Sequence, residues 1–234
     1  MSAIITDFDS VLTTTRSVRK RLDFDRPVPR SVIDECMEIA LQAPTGGNAQ
    51  DWRFLVIDDV ALKSTIGGFY LANFNKYVRG PLLEAGGEHN IVKGRLGGVK
   101  EDGDLDERTK LMLDGATYLA ENIQRSPWLV IACGTRPNAD RGGSGTTSAL
   151  YGSVYPAIWS FQLALRSRGL GSVITSLHLH SEEDVGELLG IPESATQVAL
   201  LPVAYTKGLD FRPGARRPIT EVVFHNRWIS EGRT

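Results

Sequence analysis

Only two cysteines, four histidines and three methionines occur among the 234 residues, and neither sign of charge prevails. Cys36 and Cys133 lie in apolar helix-like and strand-like runs, where a small buried thiol is commoner than a disulfide or a nucleophile. They suit a reducing compartment. With 26 Lys+Arg against 28 Asp+Glu, a net charge of -2 offers no general attraction to nucleic acid or an anionic membrane, so any anion site must be local. No apolar run approaches membrane-spanning length, and residues 1–12 carry Asp7 and Asp9 without a basic or long apolar signal segment. The expected address is the cytoplasm, with no nucleic-acid or membrane partner. The tract Gly142-Gly143-Ser144-Gly145 lacks the Gly-Lys-Ser/Thr ending of a P-loop, and no G-x-G-x-x-G follows a strand. It reads as part of a surface loop over 134–147. His178 and His180 would share a face of an extended segment, but no third ligand stands at a suitable spacing, so no metal is expected.

What is present is ordinary globular composition, 41% hydrophobic and 23% charged, in a length that suits one well-buried core. A single domain over 1–234 is expected. Val32, Ile33, Cys36, Met37, Ile39 and Ala40 recur at helical spacing behind Pro29 and before Pro44, predicting a helix over 29–43. Residues 52–57 and 128–133 are apolar, branched and aromatic, and read as strands, as do 172–175 and 197–205. Residues 109–123 read as a helix. The run 151–168 is apolar nearly all round, the pattern of a central buried helix, and it places Trp159 in the core with Trp52 and Trp128. Residues 181–189 read as a short helix, with Ser181 and Asp184 forming a capping box and Gly190 ending it. Strands and helices mix without strict alternation, which points to an α+β fold, a mixed central sheet packed by helices.

Between about 70 and 108 the pattern weakens at Gly80-Pro81, Gly86-Gly87 and Gly97-Gly98, while Phe69, Tyr70, Phe74 and Tyr77 cluster at its start. This is read as a lid-like insertion, with Tyr70 and Phe74 as substrate-facing residues. The segment from 211 onward holds Arg212, Arg216 and Arg217, then an apolar stretch to Trp228; it either pairs with a neighbouring subunit or folds back on its own chain.

Three constellations carry possible chemistry. Arg16, Ser17 and Arg19 offer two guanidinium forks and a hydroxyl to a phosphate or ring carbonyl, or else form a solvated basic helix end. Ala43-Pro44-Thr45-Gly46-Gly47-Asn48-Ala49-Gln50-Asp51-Trp52 joins helix to strand through small residues that let a planar ligand approach the backbone, or forms a plain turn. Arg216 and Arg217 are a second basic pair, or plain surface charge.

In order and surroundings these segments resemble the nitroreductase family of FMN enzymes, in particular its actinobacterial members. Thr15-Arg16-Ser17-Val18-Arg19 is similar to the family's Arg-Arg-Ser-x-Arg, and residues 43–52 to its Ala-Pro-Ser-x-x-Asn-x-Gln-Pro-Trp. The likeness continues through Arg168-Gly169-Leu170-Gly171, Leu188-Leu189-Gly190-Ile191-Pro192, Val203-Ala204-Tyr205 and Arg216-Arg217-Pro218. Thr15 and Asp51 depart from it, standing where many members have Arg and Pro.

The resemblance implies a nitroreductase-like fold and a homodimer with FMN at each subunit interface, the 211–234 extension reaching toward the partner. It implies that Arg16 and Ser17 hold the FMN phosphate and ribityl end, with Arg216 or Arg217 closing on the phosphate. Arg19 would lie near the flavin N1 and C2 carbonyl, where a fixed positive charge stabilises the reduced ring. Pro44, Thr45, Gly46, Gly47 and Asn48 would run along the ring and ribityl chain, and Thr175, Ser176 and Leu177 would bring a donor near N5. The implied reaction is ping-pong: NADH or NADPH reduces the flavin, and a nitroaromatic, quinone or related electron-poor molecule reoxidises it. No side chain is assigned as acid or base. Reductive dehalogenation, alkene reduction and non-catalytic FMN storage or sensing are the alternatives on the same fold.

Overall fold

The computed structural model describes residues 7–79, 106–135 and 143–228. In chain order it contains α1 (Phe8–Thr14), β1 (Leu22–Asp23), α2 (Arg30–Ala40), β2 (Trp52–Ile57), α3 (Val60–Phe74), α4 (Glu107–Asn122), β3 (Trp128–Gly134), α5 (Gly143–Ser167), β4 (Leu170–Ser172), α6 (Glu182–Leu189) and β5 (Thr196–Thr206). Three helices begin where an aspartate takes up an otherwise orphaned N–H: Asp7 accepts from Ser10, Asp59 from Leu62 and Asp106 from Thr109, at 2.7–2.8 Å.

The sheet order is β1-β5-β3-β2, with β4 also pairing with β5. Its ladders are antiparallel, and a single parallel bridge joins Ser17 to Ser172, so the α+β expectation of helices packed on a central sheet holds. β3 is buried along its whole length, and its side chains alternate between two cores. Trp128, Val130 and Ala132 face α2 and α5; Leu129, Ile131 and Cys133 face α3 and α4. This two-sided burial explains a strand with no polar alternation. Gly171 is where β4 comes closest to its neighbours: a Cβ there would stand 2.7 Å from Thr206 Cγ2 and 3.0 Å from Val18 Cγ2. The N-terminal segment carrying Arg16 and Ser17 is thereby pressed onto the sheet edge.

The structure departs from the sequence reading in five places. Residues 70–79, expected to open an insertion, are helical, because α3 runs to Phe74 and a π-helical turn continues to Arg79; the rest of the expected insertion, residues 80–105, lies outside the described part. Gly67 and Gly68 weaken the helical signal of α3, yet Gly67 is there because Gln124 packs where a Cβ would sit, 2.8 Å away. The glycine tract at 142–145 is not wholly loop, since α5 begins at Gly143. The strand expected at 172–175 is β4, shifted to Leu170–Ser172, and Thr175 makes an isolated bridge to Leu200. Ser181 stands at the N-cap of α6 but forms no capping bond; its hydroxyl accepts from Asn73 Nδ2 at 3.0 Å. Finally, α5 is not buried all round: Tyr151, Tyr155 and Trp159, four apart and so on one face, are exposed, Trp159 by 40%. Trp52 and Trp128 are buried as expected, Trp128 donating from Nε1 to Val28 O at 2.9 Å.

Both cysteines are free and buried, with burial pushing the Cys36 thiol up to about 11 and Cys133 up to about 12, so neither is a thiolate at neutral pH. His178 is fully buried in the turn after Thr175, and neither ring nitrogen has a hydrogen-bond partner. Burial pushes its pKa down from 6.5 to about 4. Between those values the unfolded chain takes up a proton that the folded chain refuses. Stability is therefore full above pH 6.5 and falls as pH drops toward 4, by about 3 kcal/mol from this group. Urea unfolding at pH 7.5 and pH 4.5 should show a smaller acid loss in His178→Leu than in the parent; an identical loss would mean the imidazole is hydrated or paired.

Candidate functional site

Of the three constellations read from sequence, the first, Arg16, Ser17 and Arg19, lies at the end of the sheet beside β4, where it meets Tyr70, Phe74 and Thr175. After α1 ends, Val18 N–H donates to Ser172 O at 2.9 Å, which fixes the direction in which Arg16, Ser17 and Arg19 leave the strand edge. Arg19 turns toward a cavity of about 200 Å³ between α3, α4 and the β4 end, lined by Tyr70, Phe74, Thr175 and Leu177 along with Met112 and Leu113 of α4. Residues 51 and 156 positions apart in sequence are thus brought together. Tyr70 and Phe74, expected to face substrate, do line this space but from inside a helix, both almost fully buried.

The polar atoms in the cavity are few and connected. Tyr70 Oη and Thr175 Oγ1 are 2.7 Å apart. Burial pushes the Tyr70 phenol above its ordinary pKa, against the pull of Thr175 and Arg19, so it stays protonated and can donate. Burial likewise lowers the Arg19 pKa, with Tyr70 opposing, from a starting value high enough that the guanidinium stays charged. A fixed positive charge beside a largely apolar space with one hydroxyl pair is a setting in which charge developing on a bound ring is strongly stabilised. Thr175 is held by reciprocal backbone bonds with Leu200 at 2.8 and 3.0 Å, and Asn73 Nδ2 donates to Leu177 O at 3.1 Å. Ser176, between them, is exposed.

Arg16 lies around the sheet edge from Arg19, in a smaller pocket with Thr14, Gln162, Arg166, Ser172 and Phe211. Arg166 was not singled out from sequence. A charged residue inside the apolar run of a buried helix was the available signal, masked by its place near the helix end, where basic side chains are common. The residue is 5% exposed, and its guanidinium donates to Thr14 Oγ1 (3.1 and 3.2 Å) and Leu209 O (3.0 Å). Phe211 sits against three guanidinium carbons, those of Arg21, Arg166 and Arg16, at 4.1, 4.7 and 5.9 Å from its ring centre.

The remaining expected residues are elsewhere. The Thr45–Asn48 loop is tied to α5 by Gly46 N–H donating to Ser153 Oγ at 3.2 Å, and internally by Gln50 N–H donating to Thr45 Oγ1 at 3.1 Å. Gly47, Asn48 and Gln50 all have left-handed backbone, with φ of 63°, 51° and 48°. Glycine and asparagine adopt it readily and glutamine does not, so this exposed turn holds strain of the kind found at ligand clamps. Ser153 and Gln162 are nine residues apart on α5, so this loop and Arg16 flank points roughly 13 Å apart along the helix. Within one chain the loop lines neither the pocket of Arg16 nor the cavity of Arg19. Pro44 is exposed beside it. Arg216 and Arg217 are also exposed; Arg216 donates to the adjacent Ala215 carbonyl at 3.0 Å, so closure on Arg16 is not seen in the single chain. Beyond them Ile219, Val222, Val223 and Trp228 are exposed, so this part of the C-terminal segment does not fold back into its own core. No cluster of three or more metal-ligating side chains occurs among the described residues.

The chemistry of the donors present suits an anionic flavin such as FMN. Arg16 Nε, Arg166 Nη1 and Ser172 Oγ are buried without partners, and Arg19 and Thr175 face the adjoining cavity. Residues 12–205 match the family model described as Nitroreductase family. An iodotyrosine deiodinase of Thermotoga neapolitana is 27% identical over 214 residues, 91% of this chain and 94% of that protein. An NADH dehydrogenase of Thermus thermophilus is 28% identical over 94% of this chain and 96% of its own length. An iodotyrosine deiodinase of Daphnia pulex is 26% identical over 94% of this chain, which spans only 66% of that protein. Among solved structures, oxidised iodotyrosine deiodinase bound to FMN and 3-iodo-L-tyrosine superposes with a TM-score of 0.62 at 23% identity, covering 94% of this chain and 99% of that one. These relatives are animal, Thermotoga and Thermus proteins, and they lend no support to the expected likeness to actinobacterial members. No helix among the described residues is long and apolar enough to cross a membrane.

Proposed function

The chain belongs to the nitroreductase family and is a flavin-dependent oxidoreductase, and on that premise we propose that it binds FMN between two copies of itself, takes electrons from NADH or NADPH and delivers them to a small electron-poor organic acceptor. The observation that carries this reading is the convergence of Arg19, Tyr70 and Thr175 on one largely apolar cavity of about 200 Å³. That volume is below the usual range for whole ligand pockets, which fits a space completed by a second chain. FMN, when bound, supplies the hydride-accepting and hydride-donating centre.

The chain's own residues orient and polarise. Arg19 holds positive charge where the reduced ring gathers electrons, Thr175 presents a hydroxyl steadied by Tyr70, and the apolar wall from α3 and α4 excludes water. Arg16 and Ser17 hold the phosphate and ribityl end. The exposed face Tyr151, Tyr155 and Trp159 lies on the same helix that carries Ser153 and Arg166. A second copy seated on that face brings its own Thr45–Asn48 loop toward Arg16 and Arg19, which accounts for strain in an exposed loop that lines neither cavity of its own chain. The exposed apolar residues after Pro218 suit the same partner.

A nitroaromatic or quinone is the proposed acceptor class. A second reading, reductive dehalogenation of a halophenol, is favoured by the iodotyrosine deiodinase relatives. It uses two electrons and one proton to exchange carbon–halogen for carbon–hydrogen and releases halide. The two separate when dithionite-reduced protein is mixed anaerobically with a nitroaromatic, a quinone and 3-iodotyrosine in turn. Fast return of the oxidised spectrum with the first two is expected. Return only with iodotyrosine, with iodide released, replaces the first reading by the second, and no return with any of them removes both.

A further inference from the structure

Arg166 is the one buried cation of the chain whose guanidinium is neither ion-paired nor fully hydrogen-bonded among the described residues. It sits in the last turn of α5, 95% out of contact with solvent by its 5% exposure, where the helix dipole favours positive charge. Nε and Nη2 are committed to Thr14 Oγ1 and Leu209 O, and these bonds fix the plane of the fork. Nη1 is left buried with no partner. Two more buried donors without partners, Arg16 Nε and Ser172 Oγ, belong to residues lining the same pocket. Leaving such groups unmade is costly, and native proteins rarely leave three in one place without a ligand or water.

The charge points the same way. Arg16, Arg21 and Arg166 crowd Phe211, and the carboxylate among them, Asp210, is exposed and bonded to Arg21 at 2.5 Å. Arg16 and Arg166 together bring two positive charges with no carboxylate of the described chain to balance them. An anion is the natural complement. Size then narrows it: the pocket offers about 10 Å³, room for a single water-sized atom. A whole phosphate does not fit inside, but one of its oxygens does, with the phosphorus and the other oxygens remaining outside beside Arg16 and Ser17.

We infer that Arg166, Ser172 and Arg16 form a socket for one oxygen of the FMN 5′-phosphate, and that this socket makes the protein select FMN over riboflavin. The inference rests on the flavin reading above and adds to it Arg166 and Ser172, neither of which the family resemblance supplied. No bond is made or broken; the step is binding alone.

The test compares flavin-stripped parent, Arg166→Gln, Arg166→Lys and Ser172→Ala for binding of FMN and of riboflavin, followed by quenching of flavin fluorescence. Losing a charge-assisted hydrogen bond to phosphate weakens FMN about ten- to a hundredfold in Arg166→Gln. Riboflavin, which has no phosphate, should bind as it does to the parent. Arg166→Lys should recover part of the FMN affinity. If FMN and riboflavin weaken by the same factor, Arg166 only supports the fold and the socket is wrong; unchanged FMN affinity also overturns it. Should Arg166→Gln not fold, Ser172→Ala decides on the same criterion, an FMN-only loss supporting the socket and equal affinity refuting it. A parent protein that binds neither flavin removes the flavin reading itself, whereas FMN bound at parent affinity by Arg166→Gln removes only this inference.

Discussion

Replacing Arg19 with alanine is expected to slow bleaching of the bound flavin by NADH or NADPH about a hundredfold while leaving the fold intact. The guanidinium is partly buried beside Tyr70 and borders the cavity with Thr175, and among the described residues no acidic side chain lines that cavity. Its field is therefore not paired away and is only partly screened by water, and on the proposed reading it would act on the ring that must gain a hydride and hold negative charge near N1. Removing one preorganised electrostatic donor from such a setting costs about 10²–10³ in rate. Arg19→Lys keeps the charge but not the planar fork, so it should recover only part of the loss. The packing consequence is small, because the side chain rests its stem near Gly115, 3.5 Å from where a Cβ would stand, without filling the core. Stopped-flow reduction and flavin content, measured together, separate the possibilities. If both stay at parent values, Arg19 is not beside the ring.

Trp159→Glu combined with Tyr155→Glu should yield a monomer that has lost its FMN. Both aromatics are exposed on a helix whose other side is buried in the core, and a soluble chain seldom leaves such a stripe uncovered. A two-fold interface presents each substitution twice. At about 2 kcal/mol per aromatic anchor, two copies of Trp159 alone weaken dimerisation about a thousandfold, and the introduced carboxylates add like-charge repulsion across the axis. Because the Thr45–Asn48 loop of one chain lines neither its own Arg16 pocket nor its own Arg19 cavity, the FMN site should fall apart with the dimer. Sizing with absorbance at flavin wavelengths reads both at once. A variant that remains dimeric and yellow would place the interface elsewhere, and a yellow monomer would show that one chain suffices for the site.

How much of this was legible beforehand differs from element to element. β2 was read to the residue, because five apolar positions, interrupted only by Arg53 and bounded by Asp51 and by Asp58-Asp59, admit little else. β3 was one residue short, since its two-sided burial leaves a continuous apolar run with nothing to mark the last position. α3 was not read as a helix, residues 60–69 being left unassigned and 70–74 placed in the insertion, because Gly67-Gly68 lowers helical propensity, while the reason for Gly67, the close approach of Gln124, is tertiary. Trp159 was assigned to the core because composition along a helix does not say which face a second chain covers. The same limit applies to the site. Arg16, Ser17 and Arg19 were named through family resemblance, and the pattern alone left them as a solvated basic run. That Arg19, Tyr70 and Thr175 share a cavity depends on how α3 and β4 pack, which no local period encodes. Arg166 escaped notice because a single charge near a helix end is ordinarily a surface residue; only its burial and its unpartnered Nη1 distinguish it.

The central claim, that this chain uses FMN to move electrons from a nicotinamide, is tested most directly by the visible spectrum of the purified protein before and after anaerobic addition of NADH or NADPH. Two flavin bands that bleach with either nucleotide are the predicted result. Bands that persist under both nucleotides would mean a protein that carries flavin without accepting hydride, and no bands even after reconstitution with FMN would contradict the account at its base.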